Sequence, residues 1–283
     1  MTRFKYLILI AMVLSLMASA GCLQEQKVPG DVNDTTTVRH ENMQNLLHEM
    51  TGTIQSELTM FNVSLDEASY YLGEHGLSGP KADTMMADFV SYPPAILSLI
   101  TVDTSGTVLS AAPDTARVLI GQNIADQKAI SQVLSTRQPT MGTYFTLRQG
   151  GEGVAMVYPV FSPGGEFLGA LSMAFSPSML VARYAEESER FAPFTYVVAQ
   201  PDGVLLYHSN SAFVGKQAFD EPVFENFPGI LDFVRRSDTE RTGYATFSFF
   251  KDGSTEIGPK ETFWDTVYLY DSEWRVFVNA DRE

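Results

Sequence analysis

Met43, Leu46, Leu47, Met50, Ile54, Leu58, Phe61, Leu65, Ala68 and Leu72 succeed one another in steps of one, three and four. That spacing keeps apolar side chains on one face, so residues 39–73 are predicted to form one long amphipathic helix. Asp34 or one of Thr35, Thr36 and Thr37 is expected to cap its start, and Gly73 and Gly76 to end it. The seam mixes Met, Ile, Phe and Ala and keeps no strict heptad. A spine packed on the domains C-terminal to it is therefore favoured over a coiled-coil pair.

Beyond residue 76 the period shortens. The apolar runs VAMVYPVF and FLGALSMAF flank Ser162-Pro163-Gly164-Gly165-Glu166, a turn signal between two buried arms of a β-hairpin. Before it come a short helix over 81–91 and Tyr92-Pro93-Pro94, then strands over 96–102 and 107–111 around Asp103-Thr104-Ser105-Gly106. A loop to Gly121 leads to a helix through residue 135 that Asp126 is expected to cap, then a strand over 143–148. Ser176-Pro177 opens a connector helix to about residue 190.

The same series then returns. Strands over 194–199 and 204–208 flank Gln200-Pro201-Asp202-Gly203, and Gly215-Lys216 corresponds to Gly121-Gln122. A helix over 222–235 precedes strands over 243–250, 262–269 and 274–279. Antiparallel strands with one helical insertion, twice over, predict an α+β fold of two tandem modules.

Charge and cysteine usage narrow the function. The net charge of −15 excludes nucleic acid as a main partner, because phosphate contacts need clustered Lys and Arg. The one cysteine, Cys22, comes after Arg3, Lys5, an apolar run over 6–17 and Ala18-Ser19-Ala20-Gly21. That is a secretory signal over 1–21. Ser19-Ala20-Gly21-Cys22 resembles a prokaryotic lipobox, which implies cleavage before Cys22 and a lipid on its sulfur. Residues 22–38 read as a polar tether.

The four histidines, His40, His48, His75 and His208, show no metal-ligand spacing, and no nucleophile elbow or phosphate-cradling glycine loop occurs. No catalytic residue, metal or cofactor is expected, and the chain is read as non-enzymatic. Asp252 and Glu256 lack the spacing of a calcium loop.

A long N-terminal helix with two such modules resembles the double Cache extracellular sensor domain, a tandem PAS-like architecture of prokaryotic chemoreceptors and histidine kinases. The residues that carry the resemblance are Ile100-Thr101-Val102-Asp103-Thr104-Ser105-Gly106, Gly121, Asp126, Tyr158-Pro159-Val160-Phe161 and Gly169 in the first half. In the second they are Pro201-Asp202-Gly203, Tyr207-His208, Gly215-Lys216 and Trp274-Arg275-Val276-Phe277-Val278. The resemblance implies a spine helix over 39–76, a membrane-distal module with its connector over 77–190 and a membrane-proximal module over 191–283. It further implies a small organic ligand in the first module, walled by Tyr92, Asp126, Tyr144, Thr146, Arg148, Tyr158 and Ser172, with Arg148 or Lys128 meeting a carboxylate.

Members of the family that bind amino acids carry an Arg and an aromatic where this chain has Gln127, Lys128 and Ala129, and an Asp where it has Ala174. Those departures weaken an amino-acid ligand. No output region follows Glu283, so the ligand state is expected to pass to a separate membrane signalling protein or transporter. The expected location is the outer face of the membrane, held by the lipid on Cys22. The alternative is a structural lipoprotein that docks a membrane partner through exposed Phe247, Phe249, Phe250, Phe263 and Trp264.

Overall fold

The spine is α1 (Val32–His75), 44 residues long. Its stripe from Met43 through Leu47, Met50, Ile54, Leu58, Phe61, Leu65 and Ala68 to Leu72 is buried along the whole length. The helix packs on the sheets of both modules in turn, as the irregular seam predicts. The computed structural model describes residues 32–91, 94–189, 193–220, 222–251 and 254–282. The expected signal segment, Cys22, Tyr92 and Asp252 lie outside them.

α1 begins at Val32, so the three threonines expected to cap it lie inside its first turns, and 32–38 is helix rather than tether. It runs through Gly73 and stops at Gly76, whose φ of +91° only glycine adopts without strain. Gly73 has a different use. A Cβ there would sit 2.1 Å from the Phe161 carbonyl oxygen, so glycine lets the spine touch the hairpin backbone.

The first module contains α2 (Pro80–Val90), β1 (Ile96–Asp103), β2 (Val108–Ala112), a 3-10 turn (Asp114–Leu119) and α3 (Lys128–Thr136). β3 (Thr140–Met141), β4 (Phe145–Thr146), β5 (Glu152–Phe161), β6 (Phe167–Phe175) and α4 (Pro177–Glu189) complete it. The second contains β7 (Phe194–Ala199), β8 (Leu205–His208), a 3-10 turn (Ser211–Phe213), α5 (Pro222–Glu225), α6 (Pro228–Thr239), β9 (Gly243–Phe250), β10 (Ile257–Leu269) and β11 (Ser272–Asp281). The sheets run β2-β1-β6-β5-β3, with β4 beside β5, and β8-β7-β11-β10-β9, every neighbour antiparallel. This is the α+β pair of modules that the repeat predicts.

The repeat holds down to single hydrogen bonds. Gly106 N–H donates to Asp103 O, and Gly203 N–H to Gln200 O. Ile124 and Ala218 donate to Gly106 and Gly203, while Gly121 and Gly215 donate to Val108 and Leu205. Each module even has the same isolated bridge, Thr107 with Asn123 and Val204 with Gln217. Ile100 is thus the counterpart of Val197, three residues before the turn in both.

Three local expectations are corrected. α3 starts at Lys128 with Gln127 at its cap and no side-chain cap, because the Asp126 carboxylate is taken by Arg148. The strand expected over 143–148 is only β4, since the Tyr144 N–H leaves the ladder for Gln200 Oε1 of the second module. The helix expected over 222–235 is broken into α5 and α6 by Pro228, whose ring and missing N–H begin a helix rather than continue one.

Three apolar cores result. One fills the space between α1 and both sheets. The other two lie on the opposite sheet faces, one per module, under the inserted helices. Among the described residues, all three draw on the stretch 43–280.

Candidate functional site

In each module a ligand site would lie between the sheet and its helical insertion, and side-chain alternation decides what faces that space. In the first module Ile100 on β1 pairs across to Ser172 on β6, and Ser172 to Val157 on β5. These residues face α3. Roofing them are Ala116, Leu119, Ile124, Ile130 and Val133, all buried, so the layers meet and apolar side chains fill the gap.

The residues expected to wall a first-module pocket divide by position. Ser172 is on the buried floor. Asp126, Lys128, Thr146 and Arg148 are exposed. Arg148 grips Asp126 with one guanidinium nitrogen 2.6 Å from both carboxylate oxygens, and its other terminal nitrogen reaches Asn123 O at 3.3 Å. That contact clasps the segment after β4 to the loop before α3. With side-chain exposures of 36% and 72%, the pair is solvated and contributes under about 1 kcal/mol.

Tyr144 and Tyr158 are elsewhere. Tyr144 sits between the modules, with its hydroxyl toward Glu152 at 3.4 Å and its ring beside Gly215. Burial, aided by the Glu152 charge, pushes its hydroxyl up to about 12. Tyr158 is one residue out of phase with Val157, so it faces α1. There its hydroxyl meets Asn62 and Tyr270, joining the spine to both modules at one point. Burial raises its pKa, and the Tyr270 hydroxyl adds to the shift.

The second module has the same layers and a different interior. A cavity of about 580 Å³ lies between its sheet and the α5–α6 insertion. Val197, Ala199 and Phe277 line its floor, Phe213, Phe224, Ile230 and Phe233 its roof, and Phe247, Phe249 and Phe250 its side. The rings brace one another, with Phe227 edge-on to Phe249 at 4.9 Å and Phe233 beside Phe247 at 5.0 Å. The aromatics expected as a surface patch are thus otherwise employed. Phe247, Phe249 and Phe250 line the cavity, Trp264 is buried, and Phe263 packs on the spine core.

Polar groups gather at one end. Thr195 and Asn279, directly paired across β7 and β11, face the cavity, as does Lys260, whose ammonium is 2.8 Å from Asp281. Ser209, Asn210, Lys251, Ser254 and Thr255 also line it and include its solvent-exposed rim. Arg275 fixes the roof. It is buried, donates to Ser237 O and Asp238 O at the end of α6, and pairs with Glu273 at 2.8 Å. Arg241 and Arg275 together outweigh burial and hold the Glu273 carboxyl below its ordinary pKa.

The cavity escaped the sequence reading because the signal for it is volume, which alternation does not report. The dense phenylalanines over 213–250 read equally well as core. Asn279, an amide at an inward position of a closing strand, was the usable clue. Among the described residues no cluster of His, Cys, Asp or Glu could hold a metal, and no helix is long and apolar enough to cross a membrane.

Residues 56–177 match the family model for the HK/GC/chemotaxis protein-like sensor domain. That span ends where α4 begins, so it takes in the rest of the first module and the C-terminal part of α1. No curated protein matches the sequence. Among solved structures, an extracellular ligand binding receptor from Desulfohalobium retbaense superposes with a TM-score of 0.70 at 21% identity. It is matched over 84% of this chain, which spans only 40% of that receptor. The ligand-binding domain of the Pseudomonas fluorescens chemoreceptor CtaA, with L-serine, gives 0.61 at 14% identity over 88% of this chain and 98% of its own. That of the Pseudomonas aeruginosa amino acid chemoreceptor PctB, with L-Arg, gives 0.63 at 14% over 88% and 96%. The described chain has the double Cache fold of extracellular sensor domains, and its residues 56–177 match the sensor domain of the HK/GC/chemotaxis type.

Proposed function

We propose that this chain is the ligand-binding input of an extracytoplasmic sensor. In this reading it binds a small organic molecule without transforming it. It is held at the outer face of a prokaryotic membrane by a lipid on Cys22 and passes its state to a separate membrane signalling protein or transporter. The observation that carries the reading is the sensor-domain match over 56–177, which falls on the module where Arg148 pairs with Asp126 and where Lys128 and Thr146 are also exposed. A carboxylate fits there. It takes the place of Asp126 on the Arg148 fork, and Lys128 adds a second positive charge at the start of α3. Ala174 offers nothing to a ligand ammonium, which favours a carboxylate over an amino acid.

A thermal-shift screen of the full chain against small carboxylates, amines, amino acids and nucleobases tests this. A ligand at 100 times its Kd adds about 2.7 kcal/mol, a shift of several degrees. A carboxylate is expected to give that shift, and Arg148→Ala to abolish it. No shift across the library would overturn the reading in favour of a docking lipoprotein.

A further inference from the structure

The cavity of the second module is built like a binding site and is independent of the first-module reading. We propose that it takes a neutral, mainly aromatic or hydrocarbon molecule with one hydrogen-bonding group. The apolar body lies among Phe224, Phe233, Phe247 and Phe277, and the polar end meets Asn279.

The volume of about 580 Å³ is in the range of small-molecule pockets, roughly 300–1,000 Å³. Size alone would fit any apolar guest, and Asn279 narrows the choice. Asn279 is 9% exposed and faces the cavity, and among the described residues its side chain takes part in no hydrogen bond. A guest with one donor or acceptor finds a partner in that amide where its apolar body ends. Thr195, its cross-strand neighbour, offers a hydroxyl beside it.

The same end argues against a charged guest. The Lys260 ammonium is buried and already matched by Asp281 at 2.8 Å. A carboxylate would have to shed its water beside the Asp281 carboxylate, which already holds that ammonium and repels a second anion. Entry is over the polar rim at Ser209, Asn210, Ser254 and Thr255, so the guest need not open either core.

Titration calorimetry of the full chain with 1-naphthol, naphthalene and 1-naphthoate tests the assignment. We expect 1-naphthol to bind tightest of the three. Asn279→Leu, which keeps the size and removes the amide, should weaken 1-naphthol about tenfold and leave naphthalene unchanged. Val197→Phe, which fills the floor, should remove both, and Arg148→Ala should alter neither. That last variant separates this site from the first-module reading, so either can fail alone. The proposal is overturned by no 1-naphthol binding up to about 1 mM, by a preference for 1-naphthoate, or by an Asn279→Leu variant that keeps the full 1-naphthol affinity. If Val197→Phe does not fold, the ratio of 1-naphthol to naphthalene affinity in Asn279→Leu decides.

Discussion

The two modules share strand order, turns and even isolated bridges, yet one interior is filled and the other is hollow. Matched positions show why. Ile100 in the first module stands where Val197 stands in the second, and their cross-strand partners are Ser172 and Phe277. One step on, the pair Ser98 with Ala174 becomes Thr195 with Asn279. In the first module Ser172, where the second has Phe277, leaves room for α3 to settle onto the sheet. In the second, large rings on floor, roof and side prop the layers apart and leave a space they do not fill. Similar hydrophobic content thus gives opposite outcomes, because the distribution of side-chain volume between layers sets the gap.

The largest expected break in this contrast is loss of the prop on α6. Arg275→Met should destabilise the second module by about 3–5 kcal/mol in urea unfolding, because it orphans two helix-end carbonyls and leaves Glu273 short of a partner. In the first module Ala170 stands at the matched position, so the variant acts first on the second module.

Next is the anchor of the spine on the second module. Glu261 is fully buried and accepts from Arg39 at 2.7 Å and Tyr244 at 2.8 Å, with His40 Nε2 at 2.9 Å. Burial alone would raise its pKa, but the hydrogen bonds from His40 and Tyr244 and the Arg39 charge bring it below the ordinary value. A folded pKa below the unfolded one means stability present above the unfolded value and lost as pH falls through the folded one. Glu261→Gln should therefore cost about 3 kcal/mol near neutrality and flatten the acid limb below about pH 4.3. An unchanged acid limb in the variant would remove Glu261 as its source.

A matched pair of insertions sharpens the comparison directly. Ile100→Phe should destabilise by about 1–3 kcal/mol through overpacking, while Val197→Phe at the counterpart position should change stability by less than about 1 kcal/mol. Equal costs would mean that the two interiors are equally full. Smallest of all, Arg148→Ala should cost under about 1 kcal/mol, since both partners of its ion pair are solvated.

Much of the frame was legible in the sequence. The steps of three and four marked the spine, the turn at 162–166 marked the hairpin, and the paired glycine turns marked the repeat. Element ends were less legible where a distant partner intervened. Asp126 looks like a helix cap until Arg148 is beside it, and Tyr144 looks like strand until Gln200 claims its N–H. Within the candidate site, alternation suffices to place Tyr158 opposite Ser172, since Val157 pairs with Ser172 and the next residue must face away. A ligand wall drawn by resemblance overrode that parity. The second-module cavity depends on volumes summed over several elements, and no single segment carries it.

The central claim, that the first module binds a carboxylate independently of the second-module cavity, is tested most directly by thermal shifts of three proteins measured against small carboxylates. The account predicts a shift of several degrees in the wild-type chain, its loss in Arg148→Ala and its retention in Val197→Phe. A shift retained in Arg148→Ala, or lost in Val197→Phe with folding intact, would contradict it.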